Sequence, residues 1–134
     1  MSTSEIIHSI LAENYKQTQH ASCKVVGNSM FPLIRKGDWI YIEPITENNL
    51  QSGDIILFSV NQRFVVHRIV NIENDQLVTK GDWSRSLDPS ITKVNVIGKL
   101  VAIKKGKYKL TLNHPFLRIQ NQLIRLLNQK ILNF

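Results

Sequence analysis

The sequence is short of several things, and each shortage removes a class of protein. Its 134 residues hold one cysteine, Cys23. One thiol cannot close an internal disulfide, and no C-x-x-C or C-x-x-H spacing offers a metal site, so neither cofactor nor metal is expected. Cys23 reads as a half-buried structural thiol, with a catalytic thiol as the alternative. No apolar run approaches the ~18 residues that a membrane span needs. The opening MSTSEIIHSILAENYKQ carries glutamates where a secretory signal has a basic stretch and an apolar block, which predicts a cytoplasmic chain. Acid is missing from the whole last third. Residues 1–88 hold eight Lys/Arg and ten Asp/Glu, or 8 − 10 = −2, whereas residues 89–134 hold nine Lys/Arg and no acid, or +9. Such asymmetry marks a basic face for nucleic acid or an anionic membrane. Few aromatics are interleaved with these charges and no helix-turn-helix pattern precedes them, which disfavours nucleic acid as a partner.

What remains is an ordinary globular composition, 43% hydrophobic and 20% charged, in a chain long enough for one core without staples. A single domain over residues 1–134 is expected. Ile6, Ile7, Ile10 and Leu11 recur at helical spacing and predict a short helix over 3–17, with Thr3 or Ser4 as its cap. The period then shortens. Strands are predicted at 23–26, 39–43, 55–59, 64–72, 76–79, 94–104 and 108–112, all rich in Val, Ile and aromatics, with Gly, Asn and Asp between them. The fold class is therefore mainly β, an antiparallel domain of coiled sheets spanning about 23–104. From about 114 to 133 the period lengthens again. Phe116, Ile119, Leu123, Leu126, Leu127, Ile131 and Phe134 fall on one side of a helix, and Arg118, Asn121, Gln122 and Arg125 on the other. That amphipathic helix is either the lid of the β-domain or a contact with a membrane interface or a partner protein.

Three stretches carry candidate chemistry. GNSMFPLIRKGD (27–38) places Ser29 in a segment with neither helical nor strand period. FVVHRIV (64–70) places His67 in an apolar strand, and TKGDWSRSLDP (79–89) holds Asp82 and Asp88. A serine hydroxyl needs a positioned base to act as a nucleophile, and a neutral imidazole can be that base. A carboxylate behind the imidazole would fix its tautomer and stabilise the imidazolium. Either aspartate can supply it as far as the residues go. Gly27 and Gly37 would leave room for tight turns, and Pro32 would stiffen the loop after the serine.

In family order, GNSMFPLIRKGD, then SGDIILF with VVHRIV, then TKGDWSRSLDP with VIGKL resemble the boxes of the type I signal peptidases over about residues 25–101. The usual bacterial enzymes, and the self-cleaving repressors of the SOS-response type, carry lysine at the base position. A histidine there is similar to the archaeal and endoplasmic-reticulum type, in which a second aspartate follows the Gly-Asp by six residues, as Asp88 follows Asp82.

The resemblance implies Ser29 as nucleophile, His67 as general base and Asp88 as the orienting carboxylate, with Asp82 as a supporting acid or the alternative third member. It implies the Ser29 backbone N–H as one oxyanion donor, and Met30 and Pro32 shaping the substrate site. Gly27 stands where many members have a hydroxyl, so the second donor is unassigned, and Trp83 replaces the usual asparagine of the Gly-Asp-Asn box. The expected function is that of a serine endopeptidase removing a leader or signal peptide from a precursor polypeptide. The membrane helix usual ahead of the serine box has only the 3–17 helix in its place, which suggests leader trimming of a small ribosomally made peptide. A catalytically silent peptide-binding module of the same fold and a basic nucleic-acid binder are the alternatives. Asp82 follows a glycine in a tight turn, where backbone N–H groups can occupy its carboxylate, while Asp88 precedes Pro89 and projects from extended backbone. On that ground Asp88 is favoured as the partner of His67.

Overall fold

The computed structural model describes residues 21–46, 49–112 and 115–132. The helix expected at 3–17 lies outside them. The described chain is mainly β: strands β1 (Ala21–Lys24), β2 (Trp39–Glu43), β3 (Ile55–Val60), β4 (Arg63–Glu73), β5 (Gln76–Lys80), β6 (Ile91–Thr92), β7 (Val96–Lys105) and β8 (Tyr108–Thr111), then one helix, α1 (Pro115–Leu132). The sequence places seven of these strands to within a few residues. The two-residue β6 escapes it, because 91–95 is too short to show alternation and a 3-10 turn at Lys93–Asn95 fills what reads as the start of β7.

The strands form one antiparallel sheet in the order β1-β2-β7-β3-β4-β5-β6, with β8 added to β7. Tight turns fix the register. Val60 pairs with Arg63 across Asn61 and Gln62, whose φ values of 49° and 63° make the left-handed two-residue loop that suits a twisted hairpin. Gly106, with φ 58°, does the same between β7 and β8. Three register shifts, between Tyr41 and Ile42, Leu57 and Phe58, and Ile69 and Asn71, are bulges that raise the local twist.

The coiling shows in β3. Its run IILF is buried on both faces: Ile55 and Leu57 join one core with Leu33, Ile34, Ile40, Ile42, Leu100 and Ile103, while Ile56 and Phe58 join a second with Ile69, Leu77 and Ile91. A strand with a core on each side reads as a continuous apolar run instead of an alternation. The central strands are thereby immobilised from both faces, and β4, the partner of β3, carries His67 opposite Ile56. α1 contributes Ile124 to the first core. None of the described helices is long and apolar enough to cross a membrane.

Candidate active site

Ser29 lies in the loop from β1 to β2, and the loop is built from both ends. At its neck, Val25 N–H donates to the Asp38 carbonyl at 2.8 Å and Gly37 N–H to the Val25 carbonyl at 2.8 Å, with Gly37 at φ 94°. The Asp38 carboxylate accepts from Arg35 N–H at 2.9 Å and from Lys105 Nζ at 2.5 Å. Beyond the neck the backbone makes a helical turn, Phe31 N–H to the Asn28 carbonyl and Ile34 N–H to the Met30 carbonyl. Met30, Leu33 and Ile34 are buried beneath it and act as its anchor. Ser29 is left exposed on the outside of that turn.

The second wall is the segment Thr79–Asp88. The Ser29 carbonyl accepts from Trp83 N–H at 2.9 Å, and Asp82 N–H points at Met30 Sδ, 3.4 Å away. Phe31 meets the Trp83 ring edge-to-face at 4.9 Å. Gly81 makes this approach feasible. A Cβ there would sit 2.8 Å from the Ser29 carbonyl oxygen, 2.8 Å from Ser84 Oγ and 3.0 Å from His67 Nε2, two of the three inside any normal contact. Gly27 has nothing within 4 Å of such a Cβ, so the glycine that this packing requires is Gly81.

The three stretches converge. Ser29 Oγ is 3.1 Å from His67 Nε2, and His67 Nδ1 is 2.5 Å from Asp88 Oδ2. The His67 side chain is 13% exposed and that of Asp88 27%, while Ser29 is exposed, so this chain of contacts is most open at its serine end. Asp88 is held by its own backbone, N–H to the Thr79 carbonyl at 2.8 Å, and by Thr79 Oγ1, which donates to the same Oδ2 at 2.7 Å. Thr79 is fully buried. With a carboxylate oxygen against Nδ1, a neutral imidazole carries its proton on that nitrogen and presents Nε2 as the acceptor towards Ser29.

Asp82 is elsewhere. Its two oxygens accept from Arg68 Nε at 2.9 Å and Nη2 at 2.8 Å, a bidentate pair in which both side chains are 1% exposed. Its carboxylate is thus taken by a guanidinium and not by nearby backbone N–H groups, and it does not reach His67. Arg68 Nη1 also donates to the Gly53 carbonyl at 2.9 Å. Beside the pair, the buried Lys80 ammonium donates to the Gly81 carbonyl at 2.9 Å and to Asn128 Oδ1 on α1 at 3.1 Å. Burial holds the Lys80 ammonium below the usual lysine range, opposed by the nearby Asp82 charge. Thr79, Lys80, Arg68 and Asn128 were not singled out by sequence. Thr79 and Lys80 stand in the quoted T-K-G-D stretch and Arg68 next to His67, so position gives a hint for three; nothing local marks Asn128.

Ser29 and His67 open onto a cleft of about 570 Å³. Its lining is mostly apolar, with Val25, Ile34, Leu57, Phe64 and Val66 among the residues, and Met30 contributes while Pro32 does not. Pro32 follows a cis bond from Phe31. Cys23 is also in the lining; burial pushes its thiol up to about 11, so at neutral pH it is not the thiolate that nucleophilic chemistry needs.

Residues 3–101 match the family described as Peptidase S24-like. The chain belongs to that family. The match covers all three stretches that meet at the site, and stops before α1. No curated protein matches the chain. Membership supports a serine-peptidase type of fold; it does not distinguish a histidine-type signal peptidase from other members.

Proposed function

We propose that this Peptidase S24-like chain is a serine endopeptidase that removes a leader or signal peptide from a precursor polypeptide through a Ser29–His67–Asp88 relay. The observation that carries the reading is the unbroken sequence of contacts, Ser29 Oγ to His67 Nε2 at 3.1 Å and His67 Nδ1 to Asp88 Oδ2 at 2.5 Å. In the acylation step Ser29 Oγ bonds to the scissile carbonyl carbon while its proton passes to His67 Nε2. The imidazolium is stabilised by Asp88 and then protonates the leaving amine as the C–N bond breaks. Water, deprotonated by the same nitrogen, hydrolyses the ester and frees Ser29. The Ser29 N–H is one donor for the oxyanion.

The cleft supports a peptide substrate in extended form. β1 is an edge strand of the sheet, and β4 pairs with β5 only from Arg68 onward, so the cleft runs between two strand edges. An extended segment can add to such an edge through its main chain, with alternate side chains entering apolar pockets. With this mostly apolar lining, that mode reads shape and apolar side chains more than charge.

The test is labelling with a fluorophosphonate, which reacts with an activated serine, followed by cleavage of a leader-peptide library read by mass spectrometry. Wild-type protein should carry the label on Ser29 and cut a defined subset of peptides, and Ser29→Ala should do neither while remaining folded. Loss of both should exceed about 10⁴-fold in rate, because members of such a relay act as a unit. A wild-type protein that binds these peptides in the cleft yet neither labels nor cleaves would instead be the silent binding module.

A further inference from the structure

α1 sits on the domain the wrong way round for an ordinary amphipathic helix. Among its described side chains, Ile124 and Asn128, four residues apart and so on one face, are the buried ones. The polar side chains next to them make the docking contacts. Asn128 Oδ1 accepts from Lys80 Nζ at 3.1 Å, and Arg125 Nη2 donates to the Ser52 carbonyl at 3.1 Å. The Arg125 guanidinium also lies against Gly53, where an added Cβ would fall 2.1 Å from Nε. The apolar stripe points away from all of this: Ile119 is 63% exposed, Leu123 58%, Leu126 54% and Leu127 61%. A helix that turned its apolar stripe to the core would bury these four and leave Arg125 and Asn128 in water. Among the described side chains of α1, Ile124, Asn128 and Arg125 make the contacts with the domain, and these four apolar ones are left exposed.

We infer that this outward stripe of α1 seats the protein on an anionic membrane surface. Charge selects the occupant. From residue 89 to 134 the chain carries nine Lys/Arg and no Asp/Glu. Of these, Lys99 and Lys105 are in salt bridges, to Asp54 and Asp38. Lys130 lies one turn beyond Leu126 and Leu127 on the stripe itself and is exposed, where a lysine can bury its stem in the interface and keep its ammonium at the headgroups. A basic, acid-free amphipathic helix with leucines on one face binds in the interface plane and favours anionic lipid. Nucleic acid would use the charge but not the four apolar side chains, and a second copy of the chain would oppose basic segment to basic segment.

The experiment is flotation of the full chain with vesicles of phosphatidylcholine plus phosphatidylglycerol, against vesicles of phosphatidylcholine alone. The comparison variant is Leu123→Glu/Leu127→Glu, with melting temperature and oligomeric state measured for both proteins. Wild type should float with the anionic vesicles, less so as salt is added, and bind neutral vesicles poorly. The double variant should bind anionic vesicles roughly a hundredfold or more weaker, from two leucines no longer buried. Its melting temperature should be unchanged, since both positions are already exposed. The inference is overturned by absent or lipid-indifferent binding of wild type, or by equal binding of the variant. A solution dimer that the substitutions dissolve, without vesicle binding, would make a second copy the occupant. A marked fall in the variant's melting temperature would mean that the stripe is covered by this chain itself.

Discussion

Asp82 and Asp88 stand six residues apart on one loop, and their carboxylates have opposite surroundings. Asp88 is partly open to solvent, its charge shared between a hydroxyl and an imidazole, Thr79 Oγ1 and His67 Nδ1. Asp82 is sealed, its charge matched by the Arg68 guanidinium in a bidentate pair. A carboxylate whose partner is itself titratable can support a reaction, because the partner's proton comes and goes. A carboxylate locked in a bidentate pair with a guanidinium has no such partner and holds the turn in place. On the proposed relay the two would separate chemistry from scaffolding within seven residues, and substitutions at each should break function in distinguishable ways.

The largest effect is expected at the chemical end. Asp88→Asn keeps the shape but lets the amide donate to His67, favouring the wrong tautomer, and should lower kcat/KM by about 10⁴-fold with little change in melting temperature. Activity near the wild-type level would remove Asp88 from the relay. Asp82→Asn should do the reverse. It leaves the buried Arg68 charge without its carboxylate, which costs about 3 kcal/mol and lowers the melting temperature by about 10 °C in a domain of this size. Activity measured well below that lowered transition should be largely retained. A well-folded but inactive Asp82→Asn protein would exchange the two roles.

A smaller loss is expected from Asn128→Ala. It removes the acceptor for the buried Lys80 ammonium and should cost about 1–3 kcal/mol, read as a lowered midpoint in urea with the slope unchanged. If α1 can be stripped of this contact with no loss of stability, the helix is not part of the cooperative unit. The smallest effect is at Cys23. With its thiol raised to about 11 from 9.0, the folded chain binds a proton more tightly than the unfolded one. That contribution to stability is complete below pH 9 and is lost as pH rises towards 11. Iodoacetamide should accordingly react slowly at neutral pH, with a rate still climbing above pH 9 where an exposed cysteine has levelled off. A plateau near 9 would mean that the cleft is wetter than its lining suggests.

Much of the site is legible before folding. Ser29 stands in a segment with neither helical nor strand period, His67 is a lone polar ring in an apolar strand, Asp88 follows a Gly-Asp turn, and the turns that carry the hairpins are marked by Asn and Gly. The preference for Asp88 over Asp82 is also legible, but the reason given by local backbone is incomplete. Asp82 is occupied by Arg68, a residue fourteen positions earlier, and no local rule connects them. Thr79 is similar: a threonine in a strand ordinarily needs no explanation, and its hydroxyl matters only because the chain returns past it at Asp88.

What the sequence determines by itself is whatever depends on near neighbours along the chain: the two periods, the hairpin turns, the acid-free last third, and the amphipathic stripe of 115–132. What only the tertiary structure decides is which way those surfaces face and which charges meet. The stripe of α1 is plain in the sequence, yet its outward direction follows from Asn128 finding a donor at Lys80 and Arg125 an acceptor at Ser52, 48 and 73 residues away. Gly81 reads as an ordinary turn glycine until the Ser29 carbonyl from the β1–β2 loop and the His67 ring from β4 close in and leave no room for a Cβ. Contacts between residues far apart in sequence are set by sheet register and packing, and these emerge only when the whole core condenses.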